Sequence, residues 1–171
     1  RKRDSLGSQF LLQVSDSATA VGAPPACTCN WGAVFAAGAA VAVASGNLAA
    51  IGAPAGIADG DILTSNDPYA GCSHLNDIFM FKPVFANGER IAVLCLILHH
   101  TDLGGRVPGG NASDSLEIFQ EGLRIPPSKI VEAGKPNQTL LRVIEHNPRM
   151  PERMMGDVYA QMAALNTAEK E

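Results

Sequence analysis

The sequence has no charged residue between positions 17 and 58, where alanine, glycine and valine dominate. Residues 31–51 are long enough for a transmembrane helix of about 20 residues. Their small side chains and Asn47 give little transfer energy, so a membrane span is not predicted. The pattern instead favours a buried, closely packed helix at about residues 33–45, ended by the Ser-Gly-Asn that follows.

The chain also lacks an excess of basic residues. Thirteen Lys and Arg against 17 Asp and Glu give a formal net charge of −4 and a pI near 5.5. An acidic chain offers little surface for counterion release, so no nucleic-acid partner is expected. No compact apolar h-region follows the basic start, because residues 5–16 mix polar and apolar side chains. A secretory signal is therefore not predicted, and the expected location is the cytoplasm.

Nucleotide-binding motifs are missing as well. The glycine loop at residues 102–114, DLGGRVPGGNASD, lacks the Gly-Lys-Ser/Thr ending of a P-loop. No Gly-x-Gly-x-x-Gly follows a predicted strand either, so this chain is not expected to bind ATP by itself. The backbone N–H groups of the loop could form an anion nest, although such a loop is more often a flexible connection.

Cysteine is scarce, with four residues at positions 27, 29, 72 and 95. Without an export signal, free thiols are predicted in preference to two disulfides. The Cys-x-Cys pair departs from the Cys-x-x-Cys of a zinc knuckle, so a four-cysteine zinc site is not predicted.

The composition that remains is that of one soluble globular domain: 171 residues, 46% hydrophobic and 18% charged. Residues 1–58 form the uncharged Ala- and Gly-rich segment, predicted as a buried helix and loops. Residues 59–171 hold the predicted strands, the glycine loop and the C-terminal helices. The uncharged stretch is expected to be buried against a partner subunit or the remainder of the fold, and the isolated chain to be poorly soluble.

Three strands are predicted from β-branched and aromatic residues, at 62–64, 78–85 and 91–99. The Asn-Gly pair at positions 87 and 88 predicts that the last two strands form an antiparallel hairpin. The run 91–98 has no polar alternation, so it is predicted to be a central strand covered on both faces.

Two helices are predicted to close the chain, at about Asn137–His146 and Pro151–Leu165. Asn137 is a candidate N-cap of the first, and proline in the first turn favours the second. The second helix has a predicted core stripe at Met155, Val158, Met162 and Leu165. The predicted fold class is α+β: an antiparallel hairpin or sheet with flanking helices, incomplete without a partner or the remaining chain.

Three of the four histidines fall near the open end of the predicted hairpin. His74 and Asp77 enter its first strand, and His99 and His100 end its second, so several of these groups can share a small volume. Imidazole and carboxylate at the rim of a sheet are common divalent-metal ligands. The alternative, that these histidines only satisfy hydrogen bonds at strand ends, stays open. Because neighbouring strand residues face opposite ways, only one of His99 and His100 is expected to be a ligand, the other sharing a face with Asp102.

Five motifs then occur in a recognisable order: GDILTSNDPYAGCSHLNDI, HHTDLGG, PGG, EIFQEGLRIPPSKIVEAGK and GDVYAQMAAL. They cover about residues 60–165 and resemble the hydantoinase B/oxoprolinase family, which also includes the alpha subunits of acetone carboxylases. Family members are usually several hundred residues long, so the chain is expected to be an N-terminal portion.

The resemblance implies a subunit of an ATP-coupled, metal-dependent amidohydrolase that opens a cyclic amide such as hydantoin, 5-oxoproline or another lactam. A hydantoinase A-type partner would bind ATP and phosphorylate the substrate. The alternatives are the alpha-type subunit of an ATP-dependent ketone carboxylase, acting on acetone or acetophenone, and a non-catalytic assembly subunit.

The resemblance also implies site residues. The family's His-x-x-Asp and strand-end histidine fall on His74, Asp77 and His99, as ligands of zinc or manganese. An upstream aspartate often joins this set, and Asp16 is the candidate because it is the only carboxylate between Asp4 and Asp59. His100 and Asp102 are candidate catalytic groups that would orient the loop or move a proton.

Within the signature motif, the charged residues Glu117, Glu121 and Arg124 are interpreted as salt links of the core.

Overall fold

The computed structural model describes residues 39–44, 56–110 and 112–170, the first of these as backbone only. An antiparallel six-stranded sheet has the strand order β1-β4-β3-β2-β5-β6. Its strands are β1 (Ala39–Ala44), β2 (Ile62–Ser65), β3 (Asp77–Ala86), β4 (Glu89–His99), β5 (Ser128–Glu132) and β6 (Lys135–Pro136). Two helices follow, α1 (Gln138–His146) and α2 (Pro151–Ala168). The predicted α+β class, with an antiparallel sheet and flanking helices, is confirmed.

The hairpin of β3 and β4 has the predicted turn. Asn87 and Gly88 both have positive φ, 53° and 83°, as a two-residue turn with a right-handed strand twist requires. The register places Asp77 directly opposite His99 at the far end. The register shifts by one residue between Val84 and Phe85, and this irregularity, together with the tight turn, fixes which side chains meet at the far end.

Strand β1 corrects the helix predicted at residues 33–45. Residues 39–44 instead pair antiparallel with β4, with Ala39 opposite Leu98. A run of small residues has no strong helical or strand period of its own, and the backbone groups at the edge of β4 gain ladder partners from it. The remainder of the predicted helix lies outside the described residues, as do Asp16, Cys27 and Cys29. The predicted boundary at residues 58–59 stays a prediction.

The central position predicted for β4 is confirmed, since β1 and β3 flank it. The predicted burial of both faces of β4 does not extend over all of residues 91–98. Val93 to Leu96 are buried, whereas Ile91 is 64% exposed. Ile91 lies near the turn, where β1 no longer runs alongside.

The two faces of the sheet have different neighbours. One face carries Ile78, Met80, Leu94 and Leu96, which pack in one cluster with residues of α1 and α2. The opposite face carries a smaller cluster of Leu63, Phe79, Phe81, Val93 and the buried thiol of Cys95. The main core therefore lies between the sheet and the helices.

Both helices form where the sequence predicts them. The Asn137 side chain accepts a hydrogen bond from the N–H of Leu140 at 3.1 Å, which confirms the N-cap of α1. In α2 the predicted stripe is buried: Met155, Val158, Met162 and Leu165. Neither helix in the described part of the chain has the length and hydropathy to cross a membrane.

Candidate metal centre

The predicted ligand group comes together at the open end of the hairpin. His74, Asp77 and His99 each offer one ligand atom, and these atoms all lie within 4.8 Å of one another. Nδ1 of His74 is 2.7 Å from Oδ2 of Asp77, and the two imidazole rings have centroids 5.1 Å apart. His99 is exposed and the other two are partly buried, so the group is accessible from solvent on one side.

Strand pairing and a short turn position these side chains. Asp77 begins β3 directly opposite His99, the last residue of β4. The N–H of Asp77 donates to the carbonyl oxygen of His74 at 3.1 Å, which closes the turn between them. The hydroxyl of Ser73 donates to Oδ2 of Asp77 at 2.5 Å. Asp77 therefore holds the turn that begins at His74, and it lies opposite His99 at the end of β4.

Asn76, which the sequence analysis did not single out, joins this turn to the end of β4. Its carbonyl oxygen accepts from the N–H of His100 at 2.7 Å. Its Nδ2 donates to the carbonyl oxygens of His100 at 2.9 Å and Gly109 at 3.1 Å. The signal that could have identified Asn76 was its position between His74 and Asp77, inside the His-x-x-Asp motif. One buried amide therefore couples the candidate ligands to the glycine loop.

His100 faces away from the ligand group, as the strand alternation predicts. It is 0% exposed, and its Nε2 lies 2.9 Å from Oε1 of Gln161. Nε2 of Gln161 donates to the carbonyl oxygen of Ile78 at 3.0 Å, so Oε1 is the acceptor and Nε2 of His100 carries the proton. Burial lowers the pKa of His100. A neutral imidazole results, and within the described residues its Nδ1 has no hydrogen-bond partner. Its role in proton transfer stays a prediction.

The carboxylate of Asp102 is buried and pairs with the guanidinium of Arg149. Its Oδ2 accepts from the N–H of Arg149 at 2.7 Å, and its Oδ1 accepts from Nη1 of the same residue at 2.8 Å. Burial alone raises the pKa of Asp102, but the N–H groups of Arg149 and Gly109 and the Arg149 guanidinium outweigh it and lower that pKa. This geometry suits the orientation of the loop better than proton transfer.

The glycine loop is organised around the same arginine. The guanidinium of Arg149 donates to the carbonyl oxygens of Gly104 at 3.3 Å and Gly105 at 2.6 Å. The loop N–H groups of Arg106, Gly109 and Gly110 are used inside the protein, by Gln120, Asp102 and Val107 respectively. These three N–H groups are therefore not available for the anion nest that the sequence left open, and the carbonyl oxygens of Gly104 and Gly105 hold a cation instead.

Of the three charged residues singled out in the signature motif, only Arg124 forms a salt link within the described residues. Glu117 caps the 3₁₀ turn Ile118–Gln120, and no ion pair of Glu117 or Glu121 occurs within the described residues. Arg124 is partly exposed, and its Nε lies 3.8 Å from Oδ2 of Asp67. The interpretation as core salt links was wrong for Glu117 and Glu121, whereas Arg124 pairs with the largely buried Asp67 from a loop at the surface.

Comparison with known proteins identifies the family. The family model of hydantoinase B/oxoprolinase matches residues 24–171, most of the chain. The chain belongs to this family. An uncharacterised protein of Methanocaldococcus jannaschii is 47% identical over 62% of the chain. The caprolactamase subunit beta of Pseudomonas jessenii is 40% identical over 67% of it.

Two solved structures share the fold of this family member. The ATP-dependent caprolactamase from Pseudomonas jessenii superposes with a TM-score of 0.65 and 39% identity over 68% of the chain. A nucleotide-free acetone carboxylase superposes with a TM-score of 0.64 and 27% identity over 68% of the chain. The chain spans 19% and 20% of the length of the two relatives named above, and 20% and 15% of the two solved chains.

Proposed function

We propose that this chain is part of an ATP-coupled, metal-dependent amidohydrolase that opens a cyclic amide such as hydantoin, 5-oxoproline or another lactam. The observation that carries the proposal is the convergence of His74, Asp77 and His99 within 4.8 Å. It occurs in a chain that is 40% identical to a caprolactamase subunit over the matched region. Hydrolysis of a lactam consumes one water, which cleaves the amide C–N bond and leaves a carboxylate and an amine.

The donor set fits a divalent ion. Two imidazoles and one carboxylate are ligands that both zinc and manganese accept, and three protein ligands leave a position for water or substrate. We propose Asp16, which lies outside the described residues, as a fourth ligand. When bound, such an ion polarises a carbonyl group and lowers the pKa of water from about 16 towards 7.

The residues of this chain provide a rigid frame for that site. The hydrogen bond from Ser73 and the contact with His74 fix both the position and the rotation of the Asp77 carboxylate. The cross-strand pairing fixes the backbone of His99, while its exposed ring stays open to solvent. We propose that Asp102 acts only by holding the glycine loop beside this frame, through Arg149.

A partner subunit completes the proposed enzyme. The relative from Pseudomonas jessenii is named as a beta subunit, which supports an assembly with at least one other subunit. We propose a hydantoinase A-type partner that binds ATP, because this chain has neither a P-loop nor a dinucleotide fingerprint. In the proposed scheme, the partner would transfer a phosphoryl group from ATP to the substrate, and water would then open the ring with release of phosphate beside the site that His74, Asp77 and His99 form.

A ketone carboxylase is the second candidate. The acetone carboxylase superposes almost as well as the caprolactamase, with TM-scores of 0.64 and 0.65. Sequence identity favours the amidohydrolase, at 39% against 27%. In such an enzyme the same chain would take part in adding a bicarbonate-derived carbon to acetone or acetophenone.

Parallel assays of the purified complex separate the two candidates. With ATP, we expect ring opening of hydantoin, 5-oxoproline or caprolactam, measured as formation of the ring-opened carboxylic acid. We expect little fixation of labelled bicarbonate onto acetone. Elemental analysis should find zinc or manganese at about one ion per chain. Fixation of bicarbonate without ring opening would support the carboxylase. A complex that contains the large partner but no metal would contradict both and support an assembly role.

A further inference from the structure

Two exposed aromatic rings contact the guanidinium group of Arg124. Its central carbon lies 5.6 Å from the ring centroid of Tyr69 and 5.6 Å from that of Phe119. Tyr69 is 79% exposed and Phe119 is 73% exposed, so neither ring is there to fill the core. Contacts with ring faces hold the plane of a guanidinium and leave its N–H donors available.

The amide of Asn66 fixes the backbone on both sides of Arg124. Its Nδ2 donates to the carbonyl oxygen of Leu123 at 2.9 Å, and its Oδ1 accepts from the N–H of Ile125 at 2.6 Å. The same Nδ2 donates to the carbonyl oxygen of Leu75 at 2.7 Å, in the loop of the candidate metal centre. One fully buried side chain therefore positions both the arginine and that loop.

Most of the donors on this guanidinium are not used. Nε of Arg124 is 3.8 Å from Oδ2 of Asp67, which is beyond hydrogen-bond distance. In the part of the chain that the structure describes, Nη1 and Nη2 of Arg124 have no hydrogen-bond partner. The result is a fixed, partly exposed fork of N–H donors with no acceptor between its terminal nitrogens.

We propose that Arg124, in contact with Tyr69 and Phe119, binds an oxyanion group, a carboxylate or a phosphate, through its two terminal nitrogens. The planar fork of a guanidinium matches two oxygens of either group in a bidentate arrangement. This binding needs no metal ion, so it can be tested independently of the proposed metal centre. It also gives the signature segment that contains Phe119 and Arg124 a role in binding.

Titration with two simple anions tests the proposal. The protein as purified, alone or with its partner subunits, is titrated with inorganic phosphate and separately with acetate, at constant ionic strength, in a calorimeter. We expect saturable binding of at least one anion, and the tighter of the two identifies phosphate or carboxylate as the ligand chemistry. Wild-type protein that binds neither anion saturably would overturn the proposal.

Substitutions show whether the arginine is responsible. Arg124→Gln should weaken binding at least about 10-fold, as expected for charge-assisted bidentate bonds. Arg124→Lys should also weaken it, because lysine keeps the charge but loses the fork. Unchanged affinity in Arg124→Gln would overturn the proposal.

Two milder variants and a matched control cover the case in which Arg124→Gln folds poorly. Phe119→Leu removes one ring and should weaken binding about 2- to 5-fold. Asp67→Asn keeps the side-chain shape but removes a competing charge, so it should strengthen binding. Arg142→Gln removes an exposed arginine of α1 and should leave the affinity unchanged. An equal loss in Arg142→Gln would indicate general charge attraction and contradict a site at Arg124.

Discussion

Two aspartates near the open end of the hairpin have opposite surroundings. Asp77 contacts a hydroxyl and an imidazole, at 2.5 and 2.7 Å, and faces a second, exposed histidine. Asp102 is buried and bound to the N–H and the guanidinium of Arg149. An imidazole can lose its proton and share a metal with a carboxylate, whereas a guanidinium stays charged and occupies its partner. The comparison separates a group suited to ligand binding from one suited to holding a loop.

The largest expected difference between these aspartates is in metal affinity. Asp77→Asn should lower the affinity for zinc or manganese more than about 100-fold, since losing an outer-shell partner alone costs about 10- to 100-fold. Asp102→Asn should change it less than about 3-fold, which is below that outer-shell range. Competition with a chromogenic chelator measures both. Similar losses in the two variants would remove the distinction between the aspartates.

The free energy of unfolding should show the reverse order, with a larger loss in Asp102→Asn than in Asp77→Asn. Asp102→Asn leaves the Arg149 guanidinium without its carboxylate and should lower the free energy of unfolding by about 2 kcal/mol. This is less than the loss for a fully buried pair, because the Arg149 side chain is 41% exposed. Asp77→Asn should cost less than about 1 kcal/mol in the absence of metal. Urea unfolding at pH 7 with chelator present measures both, and a larger loss for Asp77→Asn would contradict the account.

The stability difference at Asp102 should depend on pH. The pKa of Asp102 is lowered in the folded protein, so its contribution is complete above the unfolded value of about 3.9. It is lost as the pH falls through the lowered folded pKa. The difference in free energy of unfolding between wild type and Asp102→Asn should therefore be constant from pH 7 to about pH 5 and shrink below about pH 4. A gap that stays constant down to pH 3 would show that the charge of Asp102 is not its cause.

The smallest effect is expected at the exposed ion pair of Arg106 and Asp114 in the same glycine loop. Arg106→Gln should change the free energy of unfolding by less than about 1 kcal/mol, because solvent screens exposed pairs. Its metal affinity should equal that of wild type. The same urea and chelator measurements apply. A loss as large as that of Asp102→Asn would mean that the loop depends on more than Arg149.

Local signals in the sequence bring His74, Asp77 and the two adjacent histidines to one end of the hairpin, and the family resemblance selects His99 from the pair. The Asn-Gly turn at 87 and 88 brings the far ends of the two strands together, and the register shift between Val84 and Phe85 then places Asp77 opposite His99. The alternation of strand side chains then separates His99 from His100. The register shift itself was not predicted, and without it the turn would place Leu98 opposite Asp77.

The contacts that the sequence does not predict are long-range. Arg149 lies 47 residues from Asp102, and no local pattern pairs them. Strand β1 was missed because a small-residue run forms a strand only where a sheet edge offers it partners. The role of Arg124 in its loop likewise depends on Asn66, which is distant in the sequence and meets its neighbours only in the folded chain.

The metal content of two single variants tests the central claim most directly. His99→Ala removes a proposed ligand, whereas His100→Ala removes a buried imidazole that faces Gln161 on the other side of the strand. Both proteins are purified in parallel, checked for native circular dichroism and analysed for zinc and manganese. The account predicts that His99→Ala loses most of its metal while His100→Ala keeps it. Equal retention in both variants, or loss only in His100→Ala, would contradict it.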